Sequence, residues 1–98
     1  MNNILIEKSS IDFEDNGEFI LKENGNKDIR VNDNVDITLT IINEEDKDVS
    51  YNFDINENCN LIFNILDASK NINRNINVNI NGKNSNVLIN ISSISLNE

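Results

Sequence analysis

The groups of this chain that can exchange a proton or bind a metal near neutral pH are almost all carboxylates. The 98 residues include 17 Asp and Glu, one Cys and no His. The lack of His removes the commonest general base, proton shuttle and zinc ligand. One Cys cannot form a thiolate cluster site within a single chain, and no phosphate-binding, dinucleotide or nucleophile-elbow motif is present. We therefore expect a protein that is not an enzyme and that binds no cofactor by itself.

One acidic stretch has the spacing of a calcium-binding loop. Asp12, Glu14, Asn16, Gly17 and Glu23 fall at the first, third, fifth, sixth and twelfth positions of that spacing. The loop needs a helix on each side, whereas both flanks here have the pattern of strands. We therefore expect a solvated Asn-Gly hairpin turn at this point, with calcium binding as the alternative.

The single cysteine, Cys59, has two interpretations. As a thiolate, it would be one ligand of a cluster shared between subunits. However, it has the same parity as Leu61, Phe63 and Ile65, so a strand over these residues would point all four side chains to one face. A buried free cysteine behaves as a small hydrophobic residue, and we expect this structural role for Cys59.

The elements that position these groups are strands. Over residues 71–81, Asn at every second position alternates with Ile and Val, and Arg74 is the one interruption. A period of two is typical of a half-buried β-strand. Short segments of this kind, separated by Asn, Asp, Gly and Ser, predict a single all-β domain over residues 1–98. The predicted strands lie at about 3–7, 11–14, 18–23, 29–31, 35–42, 49–55, 59–66, 72–81 and 87–96.

Parity also predicts the core, which must consist mainly of Ile, Leu and Val because aromatic residues make up only 5% of the chain. Two architectures use the same inward rows: a β-helix, or an antiparallel β-sandwich of short strands in which Ile41 lies opposite Tyr51. The residues that we expect to be largely buried are Ile37, Leu39, Phe53, Leu61, Phe63, Ile76, Val78 and Ile89.

Charge limits the partners. The formal net charge is −9 and the sequence has no basic cluster. Such a chain repels phosphate groups, so we expect binding neither to nucleic acid nor to an anionic membrane. One Cys cannot form an internal disulfide, which favours a reducing, cytoplasmic setting, and the sequence has neither a signal-peptide pattern nor a membrane-spanning apolar run.

From about residue 35 onward, the chain resembles the SufB/SufD family of iron–sulphur cluster assembly proteins. The similar text covers residues 55–66 (INENCNLIFNIL) and 71–96 (NINRNINVNINGKNSNVLINISSISL). Within it, Gly82-Lys83-Asn84-Ser85 looks like the turn that recurs between strands of that family's solenoid domain. The His and Glu cluster ligands of the family have no matched position here, and Cys59 does not align with a ligand Cys.

The resemblance implies a piece of a right-handed β-helix and a scaffold role through subunit interactions. The implied partners are a SufB/SufD-like subunit or a second copy of the chain, with a SufC-like ATPase as a further candidate. We expect the end of the solenoid to carry the interaction, through Val87, Ile89, Ile91, Ile94 and Leu96, because an uncapped final strand exposes its edge. The alternative is a stand-alone β-sandwich that binds protein or carbohydrate as an accessory module.

Overall fold

Nine β-strands form the regular structure in the part of the chain described by a computed structural model, residues 4–21, 25–44, 47–68 and 72–93. Each overlaps one of the nine strands predicted from the sequence. In chain order they are β1 (Ile4–Ile6), β2 (Ser10–Phe13), β3 (Gly17–Leu21), β4 (Lys27–Val31), β5 (Asp36–Asn43), β6 (Lys47–Ile55), β7 (Asn60–Asp67), β8 (Ile72–Ile80) and β9 (Asn86–Ser93).

The strands alternate between two parallel sheets. The odd-numbered sheet has the order β1-β3-β5-β7-β9 and the even-numbered sheet has the order β2-β4-β6-β8. Every strand pairs in parallel with the strand two positions along the chain. Ile41 therefore lies beside Ile65, and Tyr51 lies beside Ile76. The antiparallel β-sandwich was wrong, because short connections here carry the chain across to the other sheet instead of back along the same one.

The structure widens along the chain. Ile4 pairs with Phe19, 15 residues later, whereas Asn60 pairs with Asn86, 26 residues later. The strands also become longer along the chain, from 3 and 4 residues in β1 and β2 to 9 and 8 residues in β8 and β9. We call the β1–β2 end the narrow end and residues 72–93, which contain β8 and β9, the terminal coil.

The core lies between the two sheets and follows the predicted parity. Tyr51, Phe53 and Phe63 are fully buried, and the ring of Phe63 packs edge-on against both of the others at centroid distances of 5.2 Å. The inward-pointing hydrophobic side chains of β5, β6 and β7 are all at most 3% exposed. Burying these aliphatic and aromatic side chains supplies the main driving force for folding.

The connections around three asparagines are corners between the two sheets. Asn34, Asn58 and Asn84 occupy successive corners, and each has a positive φ, which Asn tolerates better than most residues. Their stacking is direct, because Asn58 Nδ2 donates to Asn34 Oδ1 at 3.1 Å. At the next corner Gly82 approaches the preceding coil closely: a Cβ there would lie 2.7 Å from the backbone of Glu57. The Asn16-Gly17 hairpin prediction was wrong for the same reason, since β2 and β3 belong to different sheets.

Columns of Asn and Asp side chains run up the outer faces of both sheets. In one column Asn77 donates to Asn52, which donates to Asp28, with distances of 2.9 and 3.0 Å. A second column links Asn86 to Asn60, and Asn60 to Asp36. Stacked amides of this kind hold neighbouring coils in register. This explains the run of Asn residues on one parity in β8.

Candidate functional site

The terminal coil forms the last strand of each sheet and is the candidate interaction site. In the described part of the chain, β8 pairs only with β6, and β9 pairs only with β7. The other long edge of each strand therefore carries backbone groups without a strand partner. Such an edge is a template on which a further strand can be added.

The identity of the exposed backbone donors follows from two hydrogen bonds. Asn81 N–H donates to Ile55 O at 2.7 Å, and Asn86 N–H donates to Cys59 O at 2.9 Å. In a parallel ladder, successive residues direct their N–H groups to opposite edges. The outward-facing donors are therefore those of the residues whose side chains point to the core. They include Arg74, Ile76, Val78 and Ile80 in β8, and Val87, Ile89 and Ile91 in β9.

Apolar side chains accompany these donors. Ile80 is 50% exposed and Ile91 is 51% exposed, although the residues beside them in the preceding coil, Ile55 and Ile65, are fully buried. The expectation that Ile76, Val78 and Ile89 are largely buried was too strong, because all three are half-buried. Among the described residues, each has a neighbouring strand on one side only, so inward-pointing aliphatic side chains of the terminal coil are partly exposed there.

Three of the five interaction residues predicted from the sequence lie on these edges of the terminal coil. Val87, Ile89 and Ile91 belong to β9 and carry outward-facing N–H groups. Ile94 and Leu96 lie outside the described residues. The equivalent edge of β8 was not among the predicted interaction residues, because those were chosen for the aliphatic side chains of the last predicted strand.

The terminal coil also lacks negative charge. Residues 72–93 contain Arg74 and Lys83 but no Asp or Glu, in a chain whose net charge is −9. Arg74 interrupts the apolar parity of β8 because it points inward and forms an ion pair with Asp67. Asp67 also accepts a hydrogen bond from buried Asn43 at 3.0 Å. This polar group supports the final coil from within, where an unpaired Arg or Asp would be costly.

The residues with calcium-loop spacing do not converge. Asp12 Oδ1 accepts a hydrogen bond from Asn32 at 2.6 Å, and Asn16 Oδ1 accepts one from the backbone N–H of Asp36 at 2.8 Å. Both oxygens therefore bond to the next coil, Glu14 is exposed, and Glu23 lies outside the described residues. Within the described ranges, no group of three or more acidic or cysteine side chains is arranged to hold a metal ion.

Cys59 lies in the core, as its parity predicted. It is fully buried at the corner before β7, and its Sγ lies 2.9 Å from the carbonyl oxygen of Asn32. Its backbone N–H is bonded to Ser85 Oγ at 3.1 Å, so the residue also links two coils. A thiol in this position is shielded from solvent and from reagents that attack the thiolate.

Lys27 is a buried residue that the sequence argument did not single out. It begins β4 with its side chain pointing inward, it is fully buried, and its Nζ donates to the carbonyl oxygen of Lys8 at 3.1 Å. Burial lowers the pKa of Lys27 below its ordinary value of 10.5, because removal from water disfavours the charged amine. Lys27 lies near the narrow end, where an open groove of about 660 Å³ is lined by Ile11, Phe13, Phe19 and several carboxylates.

The sequence contains a repeat at the corners of the coils, which the parity of the strands does not show. The corners before β5, β7 and β9 read N-D-N-V (32–35), N-E-N-C (56–59) and G-K-N-S (82–85), at intervals of 24 and 26 residues. Each is followed by Asp or Asn and then an aliphatic residue. A repeat of this length is typical of a solenoid, in which each unit stacks on the last.

We find no match to this chain among protein-family models, curated proteins or solved structures. No helix in the described ranges is long and apolar enough to cross a membrane.

Proposed function

We propose that the chain is a non-enzymatic scaffold that acts through subunit interactions at its terminal coil. The observation that supports this most directly is the combination of two strand edges, half-buried aliphatic side chains and an absence of carboxylates in residues 72–93. Protein interfaces are typically depleted in charge at their centre and enriched in apolar contact. The remaining surface is acidic, which keeps copies of the chain apart except at this end.

We further propose the SufB/SufD type of scaffold, built as a right-handed β-helix. Parallel pairing of alternate strands supports the solenoid over the sandwich, and connections between parallel strands of a sheet are right-handed in nearly all proteins. The turn at Gly82-Lys83-Asn84-Ser85, on which the resemblance depends, occupies a corner equivalent to those at 32–35 and 56–59. The partner would be a SufB/SufD-like subunit or a second copy, with a SufC-like ATPase as a further candidate, in the cytoplasm.

Carbohydrate binding receives no comparable support. Sugar-binding surfaces usually present aromatic rings on which a sugar can stack. Here Phe13, Tyr51, Phe53 and Phe63 are buried, and Phe19 is partly buried against the core. Neither outer face carries an aromatic side chain, so protein binding is the function that we retain.

The test compares two neighbouring residues of β9. Ile91 points inward at the exposed end, whereas Asn90 points outward on the face of the sheet, where it donates to Asn64. We expect the chain to form a complex with itself or with a purified SufB-, SufD- or SufC-type protein, measured by sedimentation. Ile91→Lys should abolish that complex and Asn90→Lys should leave most of it intact. Failure to associate with any of these proteins at the highest soluble concentration would contradict the proposal.

A further inference from the structure

We propose that the groove at the narrow end binds a basic peptide segment of a partner protein, one that carries aliphatic side chains between its Lys or Arg residues. The groove has a volume of about 660 Å³, which lies within the range of about 300–1,000 Å³ that is usual for ligand sites. It lies at the opposite end of the stacked strands from the terminal coil. The proposal is therefore independent of the function proposed for that coil, and the two are tested separately.

The floor of the groove is apolar, because the core is only partly covered at this end. The rings of Phe13 and Phe19 pack against each other at a centroid distance of 4.8 Å, and Phe19 is half-buried. Ile6 and Ile11 also line the groove and are half-buried. In the next coil, by contrast, Leu39 lies beside Phe19 and is fully buried. Aliphatic side chains of a bound segment would cover this floor and remove it from water, which is favourable.

The rim of the groove is acidic. Four exposed carboxylates and one exposed amine line it, and they belong to Glu7, Asp12, Glu14, Asp15 and Lys8. Complementary charge around an apolar contact selects the partner and speeds its association. The rim therefore repels an acidic segment and attracts a basic one. The terminal coil contains no Asp or Glu, so a basic segment is directed to the narrow end.

The distribution of the carboxylates favours a peptide over a metal ion or a small amine. Within the described ranges, no group of three or more acidic or cysteine side chains is arranged to hold a metal ion. A single small cation would therefore contact fewer than three of the carboxylates on the rim. An extended peptide carries basic side chains at intervals along its backbone. It can reach several carboxylates at once while its aliphatic side chains contact the floor.

Hydrogen bonds to the next coil hold the groove in shape. Before β2, Lys27 Nζ donates to the carbonyl oxygen of Lys8 at 3.1 Å. Within β2, the side-chain amide of Asn32 donates to Asp12 Oδ1 at 2.6 Å and to the carbonyl oxygen of Phe13 at 2.8 Å. A site that is formed before the ligand arrives loses less conformational entropy on binding.

Three short synthetic peptides with blocked termini test the recognition in the unaltered chain. The first alternates Leu with Arg, the second alternates Ser with Arg, and the third alternates Leu with Glu. By isothermal titration calorimetry we expect saturable binding of the Leu–Arg peptide, binding of the Ser–Arg peptide at least about tenfold weaker, and no binding of the Leu–Glu peptide. Equal affinity for the Leu–Arg and Ser–Arg peptides would show a general attraction to an acidic chain and would overturn the proposal, as would failure of the Leu–Arg peptide to bind.

Two charge reversals and one spectrum locate the peptide. Glu14 and Glu57 are both exposed, but Glu57 lies outside the groove at the corner after β6, two coils further along. Glu14→Lys should weaken binding of the Leu–Arg peptide about fivefold. Glu57→Lys should leave the affinity within about twofold at physiological ionic strength, because charges more than about 8 Å apart are then largely screened. Thermal melting checks that both variants keep the fold.

An equal loss of affinity in Glu14→Lys and Glu57→Lys would overturn the groove as the site. Backbone amide shifts of the unaltered chain, measured by NMR during titration with the Leu–Arg peptide, give the location without any substitution. We expect the shifts to be concentrated in residues 6–19. Shifts concentrated in the terminal coil would assign the peptide to the other end of the molecule and would also overturn the proposal.

Discussion

Truncation of Phe63 to Ala should remove a large part of the stability of the fold. Phe63 is fully buried between the sheets, and its ring contacts those of Tyr51 and Phe53 edge-on. A buried Phe→Ala change costs about 3–5 kcal/mol, and each aromatic pair adds about 0.5–1.5 kcal/mol beyond the area buried. Since two pairs are lost, we expect the upper part of the range, about 4–5 kcal/mol. Domains of this kind have only about 5–15 kcal/mol in total.

Urea unfolding followed by circular dichroism measures this change in the free energy of unfolding. The melting temperature should fall by at least about 15 °C, since 1 kcal/mol corresponds to about 4–8 °C in a domain of this size. Ile62→Ala is the matched control, because Ile62 precedes Phe63 but points outward and is 38% exposed. Its cost should be about 1 kcal/mol or less. If Phe63→Ala melts within a degree or two of the parent chain, the two-sheet core described here is wrong.

Three further predictions concern the other groups that could have carried chemistry. The thiol of Cys59 should react slowly with a labelling reagent in the folded state and at the normal rate in urea. Fast labelling at neutral pH, or a stoichiometric metal that is lost in Cys59→Ser, would restore the interpretation of Cys59 as a ligand. Millimolar calcium should raise the melting temperature no more than magnesium does. A calcium site at a hundred times its dissociation constant would add about 2.7 kcal/mol to the free energy of unfolding, and a calcium-specific rise that is lost in Asp12→Ala would show a bound ion. Because burial lowers the pKa of Lys27, the unfolded chain keeps this proton to higher pH than the folded chain does, so stability should rise with pH between the lowered value and 10.5. In Lys27→Met this rise should be absent from the pH dependence of urea unfolding, and the same slope in both proteins would show that Lys27 is not titrating within the fold.

Local patterns predicted the strands and their inward faces well. Alternation is a property of one strand and its two faces, so Leu39, Cys59 and Phe63 could be assigned to the core without knowledge of their partners. All three are at most 3% exposed. The Asn parity of 71–81 also placed β8 correctly as a strand with a polar outer face.

The pairing of the strands and the degree of burial of each side chain could not be predicted from parity. The inward rows are identical in a sandwich and in a coil, so parity allowed Ile41 to face Tyr51 when it actually lies beside Ile65. Ile80 has the same parity as Ile55 but is half exposed, because burial depends on whether another coil follows. The repeat of the corner residues is the sequence signal that distinguishes a coil from a sandwich, because it indicates which segments of the chain stack on one another. The edges of the terminal coil follow from that stacking and not from composition.

The hydrogen bonds in the columns of Asn and Asp all run in one direction, and this makes the columns sensitive to slow chemical change of their Asn residues. In the columns that run through Asp28 and Asp36, the carboxylate is the first member and every later member is an Asn that donates backwards. Slow deamidation of Asn to Asp, one reason why Asn is scarce in heat-resistant proteins, would replace a donor with an anion at these positions. Deamidation of Asn52 would place its new carboxylate against that of Asp28 and so push two coils apart. The same side chains that keep the coils in register therefore limit how long a molecule of this sequence keeps its fold.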